Sequence, residues 1–112
     1  MSSSVGSITF DCANPKRMQE FWAAATGYLV DACQDDWASL RDPAGTGPAI
    51  LFMKVPEGKT VKNRVHLDLE HEDPESEAVR LAGLGAQNQK SFERWTVLLD
   101  VEGNEFCVVR KV

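Results

Sequence analysis

The sequence has no apolar run long enough to cross a bilayer. Ala49-Ile50-Leu51-Phe52-Met53 is among its longest, and a membrane helix needs about 20 apolar residues. It also has no block of basic residues, and its formal net charge is −5, from 12 Lys and Arg against 17 Asp and Glu. Phosphate backbones and anionic lipids are held by clustered positive charge, so neither nucleic acid nor a membrane is an expected partner. Cysteine is scarce: Cys12, Cys33 and Cys107 are odd in number and lack a C-x-x-C spacing. That usage excludes a disulfide scaffold and fits reduced thiols in a cytoplasmic protein. Met1-Ser2-Ser3-Ser4 lacks the basic start and apolar stretch of a secretion signal. The G-x-S-x-G elbow, the phosphate-binding loop and the dinucleotide fingerprint are all missing. What is present is 112 residues, 43% hydrophobic and 26% charged, enough for one domain (1–112) with a modest core.

The strongest positive feature is an internal duplication. Asp36-Trp37-Ala38-Ser39-Leu40-Arg41-Asp42-Pro43-Ala44-Gly45 reads like Arg94-Trp95-Thr96-Val97-Leu98-Leu99-Asp100-Val101-Glu102-Gly103. Trp, Leu, Asp and Gly recur at one shared offset of 58 residues. Each half carries the same succession of elements. Ile8, Phe10 and Cys12 alternate with Ser7, Thr9 and Asp11, the period of a half-buried strand. Asn14 then offers an N-cap and Pro15 the first helical position. Met18, Phe21, Trp22 and Ala25 form one apolar helix face, and Gly27 is placed as the C-cap. In the second half Val65, Leu67 and Leu69 alternate with His66, Asp68 and Glu70. Asp73 and Pro74 repeat the cap, Ala78, Val79, Leu81 and Ala82 are expected to point inward, and Gly85 ends the helix. Strand-like segments follow each Gly, and one more short strand fits near Tyr28–Ala32 and near Ala86–Lys90. The fold class is therefore α+β, as two β-α-β-β-β modules over about 7–55 and 64–110. Residues 56–63 form the connector.

A duplicated unit of this kind resembles the vicinal oxygen chelate superfamily, the fold of glyoxalases, bleomycin-resistance proteins and extradiol dioxygenases. The residues that carry the resemblance are Phe21-Trp22, Asn63-Arg64-Val65-His66-Leu67-Asp68 and Asp100-Val101-Glu102-Gly103-Asn104-Glu105-Phe106. Val101 stands where that family's D-P-x-G-N pattern has Pro. The resemblance spans Ile8 to Val109 and is similar to the small glyoxalase-like branch. It implies a pseudo-symmetric curled mixed sheet, with helices on the convex face and a small-molecule pocket on the concave one. A homodimer is the expected assembly.

Alternation assigns Ile8, Phe10, Val65, Leu67, Leu69, Phe106 and Val108 to the helix-covered side. Ser7, Thr9, Asp11, His66, Asp68, Glu70, Glu105 and Cys107 fall opposite. A solvated sheet face explains such a polar set as readily as a ligand pocket does. The resemblance implies four metal-ligand positions, three of which fall here on Ser7, His66 and Cys107; matching Phe52 to Phe106 in the repeat puts the fourth, the first-half counterpart of Cys107, on Met53. One imidazole, one thiol and two poor donors do not suit a centre that wants several carboxylates or imidazoles. No metal and no cofactor are therefore expected, although a shifted set of Asp11, His66 and Glu105 stays open. Trp37 and Trp95 begin equivalent strands and suit either the core or a wall for a planar ligand.

Two functions follow as expectations. One is a metal-independent binding protein that sequesters a drug or metabolite, with Ser7, Asp11, Trp37, Met53, His66, Asp68, Trp95, Glu105 and Cys107 as ligand-facing residues. The alternative is a small lyase or isomerase acting on an oxygenated metabolite, with His66 and Glu105 as acid and base.

Overall fold

The computed structural model describes residues 1–111. The elements run β1 (Ser7–Cys12), α1 (Pro15–Thr26), β2 (Leu29–Cys33), β3 (Trp37–Arg41), β4 (Ala49–Lys54), β5 (Asp68–His71), α2 (Pro74–Gly83), β6 (Gln87–Ser91), β7 (Trp95–Leu99) and β8 (Glu105–Arg110). They group into two compact units, Met1–Gly58 and a second from Lys59 onward. Each unit is a four-stranded mixed sheet with one helix. The strand orders are β1-β4-β3-β2 and β5-β8-β7-β6, so the duplication read from the sequence is a duplication of topology. In both, the first strand lies parallel to the last and the remaining pairs are antiparallel. A parallel pair needs a long crossover, and here it comprises the helix and two strands.

Local chemistry sets the helix boundaries. The Asn14 side chain accepts from the Arg17 N–H at 3.1 Å, Pro15 needs no donor, and Gly27 ends α1 in the left-handed region at φ 79°. Asp73 repeats the cap on α2 by accepting from the Ser76 N–H at 3.3 Å. In the first unit α1 buries Met18, Phe21, Trp22 and Ala25 against a sheet that contributes Ala38, Leu40, Ile50 and Phe52. Phe10 stacks between Trp22 and Phe52, with ring centroids at 5.4 and 5.7 Å. Gln19 is buried in this layer, and its amide donates to the Ala32 and Ser39 carbonyls at 2.8 and 3.0 Å. That places both donors where β2 and β3 shift register between Val30 and Ala32. In the second unit α2 buries Pro74, Glu77, Ala78 and Leu81 over Thr96, Leu98, Phe106 and Val108.

Three expectations are corrected. Val79 and Ala82 are exposed, because the inward stripe of α2 runs through Glu77, Ala78 and Leu81. Val65 is 78% exposed, because β5 begins only at Asp68 and Val65 precedes the ladder. The third concerns register. Trp37 pairs with Met53 and Trp95 with Val109, so the equivalent of Met53 is Val109 and the equivalent of Cys107 is Leu51. The turn before β4 spans residues 42–48 and the turn before β8 spans 100–104, so the first is two residues longer. That insertion breaks the offset seen at the Trp pair.

Candidate functional site

Because Thr96, Leu98, Phe106 and Val108 are buried under α2, their neighbours in β7 and β8 project from the opposite face. The register lines those neighbours into rows. Val97 pairs with Cys107, and Cys107 pairs with Asp68. Trp95 pairs with Val109, and Val109 with Glu70. Leu99 pairs with Glu105, and His66 lies two residues before Asp68 on the same side. The first unit presents the corresponding face. There Trp37, Met53 and Asp11 share one row, Ser39, Leu51 and Thr9 the next, and Ser7 pairs with Ala49.

The polar groups of the second unit sort into two clusters. His66 Nε2 lies 3.3 Å from Asp68 Oδ1, both side chains being exposed. The Cys107 thiol is buried and lies beside the Asp68 carboxylate. Burial pushes the thiol pKa up, the Asp68 charge adds to the rise, and the Lys62 charge opposes it. One donor atom each from His66, Asp68 and Cys107 lies within 4.8 Å of the other two.

Glu105 belongs to the second cluster. It accepts from the Asn63 N–H at 2.9 Å and pairs with Lys59 Nζ at 3.2 Å. Burial pushes its carboxyl up, but the Asn63 N–H, its own N–H and Lys59 outweigh that and hold it below the usual carboxylate range. Asn63 also donates from Nδ2 to Asn104 Oδ1 at 3.0 Å, so the segment before β5 is tied to the start of β8. Glu105 is thus occupied by Lys59 and Asn63, and the carboxylate at His66 is that of Asp68.

Sequence reading did not single out Phe92. Its ring stacks on Trp95 with centroids 4.5 Å apart, and Lys90 Nζ lies 5.0 Å from the Phe92 centroid. Both rings are about two-fifths exposed, at 39% and 41%. The available signal was the aromatic three residues before Trp95, across the tight β6–β7 connection. His71 accepts from the Asp73 N–H at its Nδ1 and lies 3.7 Å from buried Glu77, so it serves the start of α2.

Two like units, each a helix laid on one face of a mixed sheet with the other face left to polar and aromatic side chains, define an α+β protein built from a duplicated module. The chain belongs to the family described as the glyoxalase-like domain, whose model matches residues 7–109. The fold is that of the glyoxalase/bleomycin resistance/dioxygenase, or vicinal oxygen chelate, family. A family enzyme from Burkholderia phytofirmans PsJN superposes with a TM-score of 0.76 at 15% identity, over 98% of this chain and 100% of that one. The genomically encoded fosfomycin resistance protein of Listeria monocytogenes gives 0.77 at 15% identity, over 100% and 94%. An antibiotic binding protein from Streptomyces sp. CB03234 gives 0.69 at 17% identity, over 99% and 98%. No curated protein matches the sequence.

The divalent centre that the superfamily resemblance implies does not fit this donor set. At the equivalent positions the first unit offers Ser7 and Leu51, a hydroxyl and a hydrocarbon, and the second offers His66 and Cys107. Hard ions such as Mg²⁺ want near-octahedral oxygen ligands, and one thiol, one imidazole and one hydroxyl cannot supply them.

Proposed function

We propose that the protein binds a small organic molecule without a hard divalent centre and sequesters it. The observation that carries this reading is the exposed Phe92–Trp95 stack, which shares a sheet face with the His66–Asp68–Cys107 cluster. Exposed stacked rings supply a planar apolar platform, and the polar groups two residues along the strand supply orientation. Ser7, Asp11, Trp37 and Met53 are the ligand-facing residues proposed in the first unit. The named activities of two fold neighbours, antibiotic binding and fosfomycin resistance, favour a drug-like ligand.

The test is quenching of tryptophan fluorescence by a panel of planar aromatic antibiotics, with fosfomycin as a small anionic comparator. Saturable quenching that is lost in Trp95→Ala supports the reading. No saturable change with any member, or unchanged affinity in Trp95→Ala, counts against it.

The second reading is a lyase or isomerase. Geometry favours Asp68 over Glu105 as the carboxylate beside His66, since Glu105 is held by Lys59 and Asn63. Asp68 would orient the imidazole, and His66 would take or give the proton.

A further inference from the structure

We propose that the Phe92–Trp95 platform selects planar aromatic carboxylates, with Lys90 as the residue that receives the carboxylate. The inference rests on the small-molecule reading above and names its ligand class. It starts from the β6–β7 hairpin. The Phe92 N–H donates to the Trp95 carbonyl at 2.8 Å, and Lys90 pairs with Val97 further from the turn. Side chains of paired residues, and of residues two apart on one strand, share a face. Lys90, Phe92, Trp95 and Val97 therefore all stand on the sheet face opposite α2. Lys90 Nζ lies 5.0 Å from the Phe92 centroid, and the two rings stack at 4.5 Å. A cation is thus held at the edge of an exposed aromatic surface.

Charge supports the assignment. Among the described residues, Lys90 Nζ enters no ion pair, so its N–H donors are open to a ligand. Lys90 and Arg94 against Glu93 leave the Gln87–Leu99 hairpin with one net positive charge, on a chain whose net charge is −5. An anion is therefore favoured at this hairpin and disfavoured by the chain as a whole. Asp68 lies in the row of Lys90, but Val97 and Cys107 stand between them. Three strand spacings amount to about 14 Å, beyond the screening length of about 8 Å at physiological salt. A ligand stacked on the rings can place its carboxylate at Lys90 clear of Asp68. The first unit supplies an internal comparison. Its β2–β3 hairpin closes the same way, with the Gln34 N–H donating to the Trp37 carbonyl at 2.8 Å, and it shifts register at the matching place. Ala32 and Gln34 stand there where the second unit has Lys90 and Phe92. The hairpin therefore folds without the second ring or the ammonium.

The experiment compares anthracene-2-carboxylate with anthracene-2-carboxamide, a neutral ligand of nearly the same shape, by fluorescence anisotropy at low salt. Both should bind the parent protein saturably. The carboxylate should bind about three- to fivefold tighter, the size of an exposed ion pair. Raising the salt to about 1 M, where the screening length is about 3 Å, should shrink that margin. Lys90→Met keeps an unbranched stem and removes the charge, so it should bring the two affinities together, whereas Lys90→Arg should keep the margin. Trp95→Ala should weaken both ligands. A carboxylate margin that survives in Lys90→Met, unchanged carboxylate affinity in Trp95→Ala, or no saturable binding of the carboxylate would overturn the proposal. Equal affinities in the parent, both lost in Trp95→Ala, would sink this ligand class and leave small-molecule binding standing.

Discussion

Asp68 and Cys107 face each other across the parallel β5–β8 ladder, with the Asp68 carboxylate within 4.8 Å of the Cys107 sulfur. This placement sets a buried sulfur beside an exposed charge and brings His66 into the same group. It also separates His66 from Glu105, whose charge is spent on Lys59 and Asn63. Four expected outcomes follow from these and neighbouring contacts.

Thiol reactivity should divide by position. A disulfide reagent should consume exposed Cys33 quickly and buried Cys107 slowly, with the fast phase absent in Cys33→Ser. Asp68→Asn removes the charge that helps raise the Cys107 pKa. Its reaction should then quicken by about threefold for each unit the pKa falls, since nucleophilicity drops as the thiolate fraction grows. Because the folded thiol has the higher pKa, its contribution to stability is complete below the unfolded thiol's pKa. It is lost as pH rises through the folded value. Denaturant midpoints across the alkaline range check the sign.

Gln19→Ala should destabilise the protein by about 1–3 kcal/mol, measured as a lower urea midpoint at unchanged slope. The buried amide serves the Ala32 and Ser39 carbonyls, and its removal deprives both of that donor. A neutral result would mean that water replaces the amide at the β2–β3 register shift.

The buried Glu77 carboxylate is held below its ordinary pKa first by the Arg80 hydrogen bonds, at 2.7 Å from both Nε and Nη2. Burial pushes the other way, and the Arg80 and His71 charges reinforce the lowering. The stability this provides is present above the ordinary carboxylate pKa and is lost as pH falls through the depressed one. Arg80→Ala should lower the urea midpoint at pH 7 and much less near pH 3. About 1 kcal/mol is the expected size at neutral pH, because the Arg80 side chain is itself 47% exposed. An equal loss at both pH values would place the effect in packing instead.

Glu105→Gln should loosen the segment ahead of β5 more than the fold. The Asn63 amide, which donates to Glu105 at 2.9 Å, should exchange its hydrogen faster. Global stability should fall by no more than about 1 kcal/mol, as for a partly exposed ion pair. Exchange measured by mass spectrometry over residues 59–63 checks this. Unchanged protection there would show that Asn104 alone holds Asn63.

The sequence by itself determined the element order, the two-fold repetition and the faces of most strands. Those features are local: a cap such as Asn14-Pro15 acts within one turn, and alternation along β8 forces Phe106 and Cys107 to opposite sides whatever lies nearby. Tertiary structure decided the pairings. Trp37 and Trp95 lie 58 residues apart while their ladder partners Met53 and Val109 lie 56 apart, a slip set by loop length and visible only once the strands are paired. Likewise β5 begins at Asp68, because residues pair only where the ladder reaches them, and Val65 falls outside it. The partners of Glu105 come from 46 and 42 residues away, and no periodicity encodes an encounter between side chains that distant in sequence. Residue types nominated the groups of the candidate site, and the return path of the chain sorted them into one cluster around Asp68 and another around Glu105.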